Sequence, residues 1–296
     1  MKPGHDGLGA ALAAALGCAA AAGPDALVHG GCVNDCFRWN TAAGPVFLKL
    51  APAGMGWILD AERDGLERLA AAGALRVPAI RAAGTAGAQA FLALEWLDLH
   101  GPSRAAQARL GAGLARLHHV TESFFGLPRD NGIGATRQHN APDSDWPRFW
   151  RERRLRPQLE LAAQNGHAGR LQERGLRLLD CVGDFFTAHA PQASLLHGDL
   201  WHGNCGGLDD RSSVIFDPAV YYGDAEADVA MTRLFDGFSE DFYAAYEAER
   251  PPAAGAGTRC ELYNLYHVLN HLNLFGGGYR AQAESLIDRL LAAAGR

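Results

Sequence analysis

Lysine is nearly missing from this chain of 296 residues: only Lys2 and Lys49 occur, leaving 25 of the 27 basic positions to arginine. A surplus of positive charge is missing too. With 33 acidic residues and a formal net charge of -6, the chain lacks the concentrated basic surface that a phosphate backbone demands, which argues against nucleic acid as a partner. The one dense basic run, Arg151 to Arg156, contains its own Glu152 and reads as a solvated helix face. No run of about 18 strongly apolar residues occurs, which excludes a membrane-spanning helix. The Ala-rich opening from Leu8 to Ala22 carries Leu8, Leu12 and Leu16, the spacing of a helix with one buried stripe rather than of a signal peptide. Six cysteines are scattered without disulfide-framework density, and Cys32 and Cys36 have no second pair to complete a zinc site, so a reduced, cytoplasmic setting is expected. His267 and His271 lack the Glu that a zinc protease helix needs and read as helix-face residues. Neither Gly-x4-Gly-Lys-Ser/Thr nor Gly-x-Gly-x-x-Gly is present, which removes the P-loop and Rossmann readings.

What is present divides in two. Ala26 to Trp39 alternates loosely around Gly30-Gly31, and a Gly44-Pro45 turn leads into a strand from Pro45 to Leu50, the pattern of a β-hairpin with a flexible tip. A helix is expected from Ile58 to Ala72, ending at Gly73, and then a strand from Phe91 to Leu97. From Ser103 the chain turns helical, with Leu110, Leu114 and Leu117 on one stripe, interrupted by short apolar strands at Ser194 to Leu196 and Val214 to Phe216. The spacing predicts an α+β chain of two lobes. A small β-rich lobe spans 1–97, a larger and mostly helical lobe spans 98–296, and a connector near Trp96 to Leu99 leaves a ligand cleft between them.

The chemistry-bearing residues fall beside that cleft. His197-Gly198-Asp199 is followed by four residues and then Asn204, which is the spacing of a kinase catalytic loop after a short strand. Thirteen positions on, Val214-Ile215-Phe216 ends in Asp217. Asn204 and Asp217 offer hard oxygens for magnesium with nucleotide phosphates, and Asp199 is left to accept the proton of an attacking hydroxyl. Lys49, inside the apolar run Val46 to Leu50, supplies a compact ammonium for the α- and β-phosphates. Glu62 or Glu67 on the next helix can hold that ammonium. The tip Gly30-Gly31-Cys32-Val33-Asn34 would cover the phosphates with backbone N–H groups.

Together with Leu75 to Pro78, Phe125-Gly126, Asp130 to Gly134, Asp145 to Pro147, Asp217 to Gly223, Glu226 to Met231 and Tyr266 to Phe275, these residues resemble the fructosamine kinase (ketosamine-3-kinase) family nearly end to end. That family belongs to the aminoglycoside and choline kinase branch of the protein-kinase-like fold. The resemblance implies ATP and Mg2+ as cofactors, and Glu62 as the partner of Lys49. It also implies adenine contacts from the backbone of Glu95 and Leu97, and structural support of the catalytic loop by His197 and Asp228. The implied reaction is phosphorylation of the 3-hydroxyl of a ketosamine, free or protein-bound, leading to deglycation and protein repair. The alternative acceptor is an aminoglycoside or a choline-like alcohol. His202 stands where the family usually has Ser and reads as a surface loop residue or a substrate contact. Trp201 offers an apolar face to the sugar or its amine, or to the core. Oxidation of Cys32 would link two chains or block nucleotide, and either a monomer or a homodimer is expected.

Overall fold

The computed structural model describes residues 5–18, 24–28, 34–209 and 212–296. The first lobe runs through α1 (His5–Leu16), β1 (Pro24–Leu27), β2 (Asp35–Thr41), β3 (Gly44–Pro52), α2 (Gly56–Ala72), β4 (Ile80–Ala86) and β5 (Gln89–Glu95). Its strands form one antiparallel sheet in the order β1-β2-β3-β5-β4. Period-two alternation decides what each face meets. Val46, Leu48 and Leu50 of β3 and Phe91 and Ala93 of β5 join Leu8 and Leu12 of α1 in one core layer. Ala51, Ala90, Leu92 and Leu94 join Leu59 and Leu66 of α2 in the other, with Phe47 packed against it. Lys49 shares parity with Phe47 and Ala51, so it emerges on the α2 face. α2 ends where Gly73 adopts φ 64°, a left-handed cap whose N–H donates to the Ala70 carbonyl.

The second lobe contains α3 (Arg104–Leu117), β6 (Thr121–Glu122), β7 (Asn131–Ile133), β8 (Thr136–Gln138), α4 (Trp146–Trp150), α5 (Arg156–Gln164), α6 (Arg170–Asp180), β9 (Ala193–Leu196), β10 (Cys205–Gly207), β11 (Ser213–Ile215), β12 (Tyr221–Gly223), α7 (Glu226–Leu234), α8 (Glu240–Glu249), α9 (Ala256–Phe275) and α10 (Arg280–Ala293). One apolar core holds it together, from Leu110 and Leu114 of α3 through Trp146, Phe149 and Trp150 to Leu265, Leu269 and Leu290. Ser103 caps α3, its hydroxyl accepting from the Ala106 N–H. The strands β12-β9-β6 and the hairpin β10-β11 bracket the loop that carries Asp199.

Several expectations need correction. β4 is an added strand, built from Ile-Arg-Ala-Ala-Gly-Thr-Ala at the sheet edge, with too few large apolar residues to alternate visibly. β5 stops at Glu95 rather than Leu97, where the connector begins. β6, β7, β8, β10 and β12 each have two or three residues, too few to show a period. The Arg151–Leu155 segment is a π-helical turn rather than a solvated face throughout, since Arg154 is fully buried. Its guanidinium lies 4.0 Å from the Tyr221 ring centroid and donates to the His139 carbonyl at 2.5 Å and to Asn140 Oδ1 at 2.8 Å. Among the described residues, no helix is long and apolar enough to cross a membrane.

Candidate active site

Lys49 is only 4% exposed and its ammonium lies 2.8 Å from Glu62 Oε1. It also donates to Asp217 Oδ1, across the cleft. Burial alone would favour the neutral amine, but the carboxylates of Asp217 and Glu62 outweigh it and hold the Lys49 ammonium well above the ordinary lysine range. Burial pushes the Glu62 carboxyl upward against the pull of Lys49. Gly65 lets α2 come this close, since a Cβ there would lie 3.0 Å from the Pro218 ring beside Asp217. Asp217 has φ 55°, a left-handed conformation in a non-glycine residue that also precedes a proline. Strain of this kind persists only where the surroundings hold it, and here Lys49 does so.

Asp199 follows β9 on a loop whose backbone is held from behind. Gly198 has φ 83°, and a Cβ there would lie 2.1 Å from the Ala219 carbonyl oxygen, so only glycine fits between His197 and Asp199. The two oxygens of buried Asp228 accept the N–H groups of His197 at 2.7 Å and Gly198 at 2.8 Å. His118, itself buried, is 3.2 Å from Asp228 through Nε2 and 2.9 Å from the Tyr246 hydroxyl through Nδ1. Burial alone would raise Asp228; the His118 hydrogen bond and the loop amides prevail and hold it below the usual carboxylate range. His197 donates from Nε2 to the Phe216 carbonyl at 3.0 Å, and its Nδ1 accepts the Asp199 N–H at 3.3 Å. One neutral imidazole thereby ties the loop to the residue before Asp217, with burial keeping its pKa low.

Asn204 donates from Nδ2 to the Asp199 carbonyl at 2.9 Å and to Asp199 Oδ2 at 3.3 Å. Burial, reinforced by nearby Asp217, pushes the Asp199 carboxyl up to about 7. Asp199, Asn204, Asp217, Lys49, Glu62, Trp201 and Asn34 all line one cavity of about 120 Å³. A more apolar slot of about 460 Å³ adjoins it, sharing Cys36 and Asp217 and lined by Phe47, Leu94, Glu95, Trp96 and Leu97. The Glu95 carboxylate meets Arg76 at 3.2 Å and accepts the Ala79 N–H at 3.2 Å. His202 is exposed, its ring 4.9 Å from that of Trp201, and only Trp201 of the two lines the cavity. Gly30, Gly31, Cys32 and Val33 lie outside the described residues.

A buried ammonium, two side chains with free oxygens and a half-buried carboxylate around one cavity are parts that phosphoryl-transfer chemistry can use. The profile described as fructosamine kinase matches residues 9–293. The chain belongs to the fructosamine kinase family. It is 40% identical over 265 residues to a probable ketoamine kinase of Synechocystis, covering 89% of each chain. It is 41% identical over 273 residues to a chloroplastic protein-ribulosamine 3-kinase of Arabidopsis thaliana, covering 89% of this chain and 81% of the relative. Among solved structures, a putative fructosamine-3-kinase from Haemophilus somnus superposes with a TM-score of 0.87 at 28% identity, over 97% of both chains. More distant phosphotransferases share the protein-kinase-like fold and, at their low identity, speak to the fold alone.

Beyond the family's motif residues, Gly132 and Gly134 of the β7–β8 hairpin wall the cavity. They lie in a stretch that carried the resemblance without an assigned role. His118 had no signal in the sequence. His267, read as a helix-face residue, is instead buried with Nδ1 directed toward Asp199.

Proposed function

We propose that this family member transfers the γ-phosphoryl group of ATP to the 3-hydroxyl of a ketosamine. The Lys49 ammonium, bridged between Glu62 and Asp217 opposite Asp199, carries the reading, because it sets a fixed positive charge and a proton acceptor around one cavity. The adjoining slot has the volume and apolar lining that suit an adenine, with the backbone at Glu95 and Leu97 available for its edge. Lys49 would then meet the α- and β-phosphates, and the tip from Gly30 to Asn34 would cover them.

The donor set also suits magnesium. Asn204 spends its amide hydrogens on Asp199 and keeps its carbonyl oxygen, while Asp217 engages Lys49 through Oδ1 and keeps Oδ2. Two hard oxygens that leave room for phosphate oxygens and water match what this ion prefers. Held by Asn204 and Asp217, magnesium would supply charge neutralisation to the nucleotide phosphates.

Asp199 accepts the proton of the sugar O3 as O3 forms a bond to the γ-phosphorus and the bond to the β,γ-bridging oxygen breaks, releasing ADP. Asp228, His118 and His197 hold the loop so that Asp199 needs little reorganisation, and Trp201 offers its ring to the sugar or its amine. Phosphate at C3 is a far better leaving group than hydroxide. The enaminol spanning C1 and C2 expels it, and hydrolysis of the resulting imine frees the amine, a route to deglycation and protein repair in a cytoplasmic setting. Purified protein with Mg-ATP is expected to release ADP with ribulosamine, erythrulosamine or fructosamine derivatives. Silence across that panel, with turnover of kanamycin or choline, would assign the site to a different alcohol.

A further inference from the structure

Helix α9 is lined by apolar residues where it enters the core: Leu262, Leu265, Val268, Leu269 and Leu272 are all buried. Like the polar side chains of Asn264 and Asn270, His267 is buried on the same helix, 4% exposed. Its Nδ1 is fully buried, has no hydrogen-bond partner, and lies 3.9 Å from Asp199 Oδ1. A leucine would occupy such a position without leaving a polar atom unsatisfied. The helix also fixes the place of this ring. One turn later, His271 donates from Nδ1 to the His267 carbonyl at 2.8 Å, so the backbone below the ring is doubly tied. Burial keeps the imidazole neutral, its pKa pushed down to about 3 with the help of neighbouring His271. A neutral ring carries one N–H, and a carboxylate only accepts, so the tautomer with hydrogen on Nδ1 is the one that suits Asp199.

Asp199 has one oxygen committed and one open. Oδ2 faces the Asn204 amide at 3.3 Å, whereas Oδ1 faces His267. We propose that His267 is a positioning residue: as substrate seats, its Nδ1–H closes onto Asp199 Oδ1 and, with Asn204 on Oδ2, fixes which lone pair meets the acceptor's hydroxyl. Closure by about 1 Å brings the pair to hydrogen-bond distance, and catalytic hydrogen bonds that are long in an unliganded site commonly tighten in this way. This inference rests on the reading of Asp199 as the proton acceptor.

Three variants test it, with Asp199→Asn as reference. His267→Asn puts an amide nitrogen where Nδ1 stands, His267→Gln puts one where Nε2 stands, and His267→Leu fills the space without a donor. Steady-state kinetics against a ketosamine and against ATP, with thermal melts of each variant, separate the outcomes. The expected result is a loss of roughly 10- to 100-fold in kcat for His267→Gln and His267→Leu with KM for ATP unchanged, and recovery of most of it in His267→Asn. Unchanged kcat in His267→Leu overturns the proposal, as does a loss that follows the melting temperatures with no difference between Asn and Gln. If Asp199→Asn itself turns over normally, the proton-acceptor reading falls first. An inactive Asp199→Asn beside a fully active His267→Leu overturns the positioning role alone.

Discussion

Lys49 meets the two carboxylates of Glu62 and Asp217 from one atom, a compact arrangement that suits an ammonium better than a planar guanidinium. In a chain that otherwise spells nearly every basic position as arginine, this position has a physical reason to stay lysine. Lys49→Arg is therefore expected to lower kcat/KM by on the order of 100-fold despite the retained charge, as steady-state kinetics would show; a near-normal rate would return Lys49 to compositional accident. Asp199→Asn should keep nucleotide affinity while kcat falls by about 10² to 10⁴, measured by calorimetry and turnover on the same preparation. The pH profile follows from the sign of the Asp199 shift. Its carboxyl is pushed up to about 7, so it is protonated and unable to accept as pH falls through that value. The acid limb of kcat/KM should lie near neutrality rather than near pH 4, and a profile flat down to pH 5 would contradict this.

At the scale of elements, the loop that carries Asp199 is a short segment whose shape is imposed by β9 before it, β10 after it and α7 behind it. Asp228→Asn replaces one acceptor oxygen by an amide that faces a loop N–H, and is expected to cost about 1–3 kcal/mol in chemical denaturation as well as activity. Much of this arrangement was legible in the sequence. The spacing from His197 to Asn204 and the carboxylate after Phe216 announced two strand ends meeting, and the apolar run Val46 to Leu50 put Lys49 on a strand. His118, Arg154 and His267 were not legible. Each meets partners at least 14 residues away or rings brought together only by packing, for example His118 with Asp228 and Tyr246. A helical or charged context looks the same in sequence whether such a side chain faces water or the core.

Across the whole molecule, the two lobes meet through specific links that include Lys49 with Asp217, Gly65 against Pro218, and the Arg76 carbonyl, which accepts the Ile215 N–H at 3.0 Å. A nucleotide seated in both the cavity and the slot would add further links, so magnesium with a non-hydrolysable ATP analogue at about 100 times its Kd should raise Tm by on the order of 5 °C. Chelating the metal should remove most of that rise, and an unchanged Tm under both conditions would contradict the shared site. Two-lobed architecture was readable from the change of texture near residue 100, whereas the short strands that set the loops were too brief to show a period. The central claim is that phosphate is placed on O3 of a ketosamine. Phosphorus-31 NMR of the product from ribulosamine and Mg-ATP tests it most directly: coupling of the phosphorus to the proton on C3, followed by release of free amine on standing, is the predicted result. A phosphorus coupled instead to a terminal CH2, or no sugar phosphate at all, would contradict it.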